Sequence, residues 1–117
     1  VIHPRSELEI EMPFDFETKL LGTNPDTFPG EFSLWFHDNM HVWKAFCDEA
    51  FRIRARGFKR YSARTIVEVL RHHSAVTEAP GAIWKINNNH APYMARLFDL
   101  RYPSCAGMWQ YREAVAA

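Results

Sequence analysis

Apolar and polar positions divide this chain into an irregular first quarter and a periodic remainder. Phe32, Trp35, Phe36, Met40, Trp43, Phe46, Ala50 and Ile53 recur at helical steps, the spacing that lines one face of an α-helix. His37, His41, Lys44, Asp48 and Arg52 make the opposite, polar stripe. Pro29-Gly30 breaks the chain ahead of this long helix, and Gly57 stands where a left-handed C-terminal cap belongs. A second helix is predicted from the N-cap Ser62 through Arg64 to near His73, with Ile66, Val67, Val69 and Leu70 on its buried side. Ala75 to Gly81 then reads as a loop turning at Pro80-Gly81.

The run Ala82-Ile83-Trp84-Lys85-Ile86 is short and β-compatible, and Ser74–Thr77 is able to pair with it as a hairpin. Asn88 or Asn89 caps a third helix whose first turn holds Pro92 and whose apolar side is Tyr93, Met94, Leu97, Phe98 and Leu100. Pro103 ends it, and a last helix is expected from near Ser104, carrying Met108, Trp109 and Tyr111. Residues 1–29 show no helical period. Ile10, Met12, Phe14 and Phe16 alternate with Glu11, Pro13 and Asp15, which suits an extended arm laid over the body by Phe14 and Phe16. The expected architecture is a mainly α domain over residues 30–117, with about four helices, a short β-hairpin, and an extended acidic arm over residues 1–29.

Composition sharpens this picture. The 117 residues are 47% hydrophobic and 15% aromatic, enough for one packed domain without disulfides or metals. Apolar runs are too short for a membrane span, the first residues lack a signal-peptide pattern, and Cys47 and Cys105 read as two free thiols in a reducing cytoplasm. The net charge of zero conceals a split: residues 1–50 hold ten acids against three bases, and residues 51–117 hold eleven bases against four acids. Seven of those bases lie between Arg52 and Arg71. Such a chain either neutralises itself or offers a basic face to an anionic partner.

Several motifs together resemble a known group. They are Asn39-x-His41-Val42-Trp43, the basic loop around Gly57, and Ser62-Ala63-x-x-Ile66-x-Glu68-x-Leu70-Arg71. Lys85-Ile86-Asn87-Asn88-Asn89, Tyr93-x-Ala95-Arg96-Leu97 and Pro103-x-x-Ala106-Gly107-x-Trp109-x-x-Arg112 complete the set. Over residues 32–113 the chain is similar to small uncharacterised proteins encoded by tailed phages, prophages and environmental phage-like DNA. The resemblance implies a phage origin and the cytoplasm of a bacterial host, and it implies no activity.

The candidate nucleic-acid-binding residues are Lys59, Arg60, Arg64, Arg71 and Lys85, with the corner Asn87, Asn88 and Asn89. Arginine and lysine neutralise phosphates, and asparagine amides read base edges or cap helices. Arg64, Glu68 and Arg71 are spaced to pair along one helix, so part of this charge is locally balanced. A strict helix-turn-helix does not fit, because about fifteen residues separate the second and third helices where the motif has a turn of three or four.

His37 and His41 have chelating spacing but share a solvated polar stripe, and no HExxH, CxxC or acidic cluster accompanies them. Cys47 reads as a core thiol, Cys105 has no partner base fixed by sequence, and no glycine-rich phosphate loop occurs. The expectation is a non-enzymatic accessory protein with no cofactor, no metal and no membrane contact, binding DNA or RNA. The alternative is a protein-interaction module, for a host protein or for a homodimer, using the acidic arm and the tryptophans.

Overall fold

The computed structural model describes residues 14–110. They form five α-helices: α1 (Asp15–Thr23), α2 (Gly30–Asp38), α3 (Met40–Ala55), α4 (Ala63–Thr77) and α5 (Ala91–Arg101). Short 3-10 turns occupy Pro80–Ala82, Asn88–His90 and Pro103–Cys105. The mainly helical class is as the pattern predicts. Four of the finer expectations are corrected.

The first correction concerns the arm. Residues 15–23 are helical rather than extended, and residues 1–13 lie outside the described residues. Asp15 and Glu17 sit in the first turn of α1, where carboxylates suit the helix dipole. Leu21 joins the core, and so does Glu17, which is 2% exposed. The indole Nε1 of Trp43 donates to Glu17 Oε2 at 3.0 Å, and the Arg101 guanidinium lies 3.4 Å from the same oxygen. Arg101 also covers the ring of Phe16, 4.8 Å from its centroid. A carboxylate at the buried position of a nine-residue helix interrupts the apolar stripe by which such a helix is recognised.

The second concerns the long helix, which is two. Asn39 departs from helical geometry with φ −134° and ψ 37°. Its Nδ2 donates to Trp35 O at 2.8 Å and its N–H to Phe36 O at 3.0 Å, closing α2. Its carbonyl accepts from Val42 N at 2.9 Å, opening α3. One residue therefore ends one helix and starts the next, and the apolar period runs through the break undisturbed.

The third is the hairpin, which does not form. Ser74–Thr77 is the last turn of α4, and the described residues contain no strand pair in this region. The run 82–86 is satisfied by side chains instead of a ladder. Trp84 N donates to Ser74 Oγ at 2.6 Å, Trp35 Nε1 donates to Lys85 O at 3.1 Å, and Arg71 Nη1 donates to Ile86 O at 2.6 Å.

The fourth is the last helix. Beyond α5 the chain makes only the turn Pro103–Cys105, then Gly107 at φ 98° turns it into an extended run. Met108 and Trp109 are buried there, and Tyr111 lies outside the described residues.

Helix α5 is the centre of the packing, against α1 on one side and α4 on another, while α3 packs on α4. Trp43, Phe36, Phe46, Met94, Leu97 and Phe98 are fully buried. Phe46 stacks on Trp109 at 5.3 Å and meets Phe98 edge-on at 6.5 Å, geometries that aromatic rings favour. A single parallel bridge ties Tyr61 to Trp109 through Tyr61 N to Met108 O at 2.6 Å and Gln110 N to Tyr61 O at 2.8 Å. It brings the end of the described chain against the start of α4.

Candidate functional site

The loop between α3 and α4 is built for display. α3 closes with Gly57 at φ 89°, the left-handed position that its sequence predicts, and Gly57 N donates to Arg54 O at 2.9 Å. Three residues on, Arg60 also adopts a positive φ of 63°, which costs a side-chain-bearing residue about 1–2 kcal/mol. Between them Phe58 is 53% exposed, with its ring 5.8 Å from that of Tyr61. Ser62 then caps α4, its Oγ accepting from Thr65 N at 3.3 Å, as predicted.

Charge in this region is unevenly answered. Arg52 pairs with Glu49 at 2.7 Å and Arg64 with Glu68 at 3.2 Å, both on the surface. Arg54 reaches the carbonyl of Ser104 at 3.4 Å. Arg56, Lys59 and Arg60 are exposed and have no ion-pair partner among the described residues.

A cavity of about 500 Å³ opens beside this loop. Ser62, Ala63 and Arg64 from the start of α4, and Asn88, Asn89 and Tyr93 around the start of α5, contribute to its wall, and Trp109 and Gln110 complete it. Ser62 follows Arg60 by two residues, so their Cα atoms are at most about 8 Å apart. Three buried alanines, Ala63, Ala91 and Ala95, leave the space open where α4 meets α5. Among the described residues no carboxylate lines it.

The predicted site residues divide accordingly. Arg64, Asn88 and Asn89 come together at this cavity, with Lys59 and Arg60 on the loop next to it. Arg71 belongs to the scaffold: its guanidinium is half-buried, holds Ile86 O, and donates from Nη2 to Asn88 Oδ1 at 2.9 Å. Asn87, rather than Asn88 or Asn89, is the capping residue; its Oδ1 accepts from Asn89 N at 2.8 Å. His90 N donates to Asn87 O and Ala91 N to Asn88 O, and Pro92 has no N–H. At the start of α5 the N–H groups of His90 and Ala91 are thus used internally. Lys85 is exposed but lines a different hollow of about 370 Å³ with Trp35, His41 and Trp84. Tyr93, Trp109 and Gln110 escape a reading by motif. Tyr93 lies one helical turn beyond Asn89, a detectable spacing; Trp109 and Gln110 arrive by a long-range bridge that no local pattern announces.

No family model, curated protein or solved structure matches the chain.

Other titratable groups are structural. His90 is buried between Phe32, at 5.6 Å, and Trp35, at 4.6 Å between ring centroids. Burial holds its pKa below the ordinary imidazole value, Glu31 opposing, and its Nδ1 has no hydrogen-bond partner. Burial pushes the Cys47 thiol far above its usual range, with Glu17 and Asp48 adding to the effect and Arg101 and Lys44 opposing it. Cys47 and Cys105 are both free and buried. Among the described residues no three His, Cys, Asp or Glu side chains group closely enough to hold a metal, and no helix is long and apolar enough to cross a membrane.

Proposed function

We propose that this protein is a non-enzymatic accessory protein of a phage or prophage that binds nucleic acid in the host cytoplasm. The contact surface is the loop 56–60 together with the cavity beside it. The observation that carries the reading is the set of three exposed cations, Arg56, Lys59 and Arg60, unpaired among the described residues and flanking the exposed Phe58. Surface cations without acidic neighbours lose least on meeting phosphate, and each such contact releases condensed counterions. The adjoining cavity adds amides, a phenol and, among the described residues, no carboxylate, a lining suited to a phosphate-bearing ligand.

The test is binding of mixed-sequence DNA and RNA at low and moderate salt, with wild type and the double variant Lys59→Glu, Arg60→Glu. Removal of two phosphate contacts lowers the slope of log affinity against log salt by about 1.4–1.8. Absence of binding at low salt, or an unchanged affinity in the double variant, overturns the proposal.

A further inference from the structure

We propose that the cavity between α4 and α5 accepts an unpaired nucleobase, so that the protein prefers single-stranded nucleic acid to duplex. The inference rests on the nucleic-acid reading above and narrows it. A volume of about 500 Å³ is that of a small-molecule site, well beyond what a bridging water needs. Its walls pair an aromatic ring, Tyr93, with the side-chain amides of Asn89 and Gln110, neither of which makes a hydrogen bond within the described chain. An amide presents one donor edge and one acceptor edge, as a base does, and the Tyr93 ring, 5.5 Å from Phe32 and 5.9 Å from the Arg96 guanidinium, adds aromatic surface beside them.

Asn88 is held from behind. Its Oδ1 is taken by Arg71, which leaves its Nδ2 donors as its remaining capacity at the wall. Trp109, also in the wall, is 5% exposed, and its buried indole N–H has no acceptor among the described residues. Hydrogen-bonding groups are thus left over around a space that alanines keep empty. The charge of the rim fits the rest of a nucleotide. Arg64, paired with Glu68 at 3.2 Å, stands in the first turn of α4, where Ser62 Oγ accepts from Thr65 N and Ser62 O from Ile66 N, and the unpaired Lys59 and Arg60 continue along the loop. A base in a duplex has its edge paired and its faces stacked and cannot enter such a cavity; an unstacked base in a single strand can.

The experiment is fluorescence anisotropy with the full chain and labelled oligonucleotides of about 12 residues, single-stranded DNA, single-stranded RNA and the matching duplex. Variants are Asn89→Ala, Tyr93→Leu and Tyr93→Phe, each checked for an unchanged helical melting curve. The single strand is expected to bind about ten-fold or more tightly than the duplex. Tyr93→Leu and Asn89→Ala are expected to weaken single-strand binding about ten-fold, several times more than they weaken duplex binding, so that most of that difference is lost, and Tyr93→Phe to retain it. Preference for either single strand supports the proposal, and the favoured strand identifies the source of the base. Equal affinity for strand and duplex, or folded Asn89 and Tyr93 variants that bind the strand like wild type, overturns it while leaving the electrostatic interface intact. Failure to bind any of the three at low salt removes the nucleic-acid reading itself.

Discussion

Arg60 provides a test in which stability and binding move in opposite directions. Its φ of 63° lies in the left-handed region, and its side chain is exposed with no hydrogen bond or ion pair among the described residues. Arg60→Gly relieves about 1–2 kcal/mol of backbone strain. The more flexible unfolded chain takes back about 0.4–1 kcal/mol of this. A net gain of between about 0 and about 1.6 kcal/mol remains, centred at about 0.8 kcal/mol, which at its centre raises the melting temperature by about 3–5 °C for a domain of this size.

The same substitution deletes a phosphate-binding cation, so nucleic-acid affinity falls and its salt slope shrinks by about 0.7–0.9. Arg60→Ala separates the two effects: it keeps the strain and loses the charge, leaving stability within about 0.5 kcal/mol of wild type while binding drops as for glycine. Thermal and urea unfolding, paired with anisotropy titrations, supply both readouts. If Arg60→Gly destabilises, or Arg60→Ala stabilises as much as glycine, the strain at residue 60 is not what the backbone angle implies. If both variants stabilise or hold steady and neither weakens binding, the loop is not the interface.

Other sites give sharp expectations. Glu17→Ala removes the acceptor of the Trp43 indole and the partner of Arg101, and urea unfolding is expected to show a loss of about 2–4 kcal/mol; a loss under about 0.5 kcal/mol, a typical surface effect, refutes the clasp. His90 has a folded pKa below its unfolded value, so its neutral form stabilises the fold above pH 6.5 and that contribution is lost as the pH falls through the unfolded pKa towards the folded one. His90→Phe is expected to abolish this part of the acid destabilisation in unfolding titrations from neutral to mildly acidic pH. Cys47 is buried with a raised pKa, so a thiol reagent at neutral pH modifies it only at the rate of global opening, accelerating across the urea transition; rapid labelling under native conditions contradicts its placement.

What the sequence makes legible is what depends on neighbours in the chain. The stripe from Phe32 to Ile53, the positive φ at Gly57 and the Ser62 cap all follow from local spacing and residue type, and all are present. The departures share a different cause, a polar side chain meeting a backbone or charge far away. Glu17 is buried because Trp43 and Arg101 reach it. Ser74–Thr77 is able to pair as a hairpin strand by local pattern, yet the Ser74 hydroxyl accepts from Trp84 N ten residues on, at the end of a helix. Arg71 counts towards a basic face in any one-dimensional tally, but its guanidinium is committed to Ile86 and Asn88. The asparagine corner was placed correctly between an extended run and a helix, with the cap one residue early, because a 3-10 turn intervenes before α5. Of the candidate interface, the loop was legible and half of the cavity wall was not.

The extended run 83–86 has a consequence for the order of assembly. Its three anchoring groups are the Trp35 indole on α2 and the Ser74 hydroxyl and Arg71 guanidinium on α4. Two of these anchors lie on α4 and the third on α2, so the run is fully held only when both helices are in place. Full docking of this segment is expected late in folding, so that Ser74→Ala speeds unfolding in stopped-flow measurements and leaves the folding rate nearly unchanged; a matching drop in the folding rate refutes this order. The amide of Trp84 becomes a local clock for that last event, exchanging with solvent by detachment of the segment alone while the helical core stays closed.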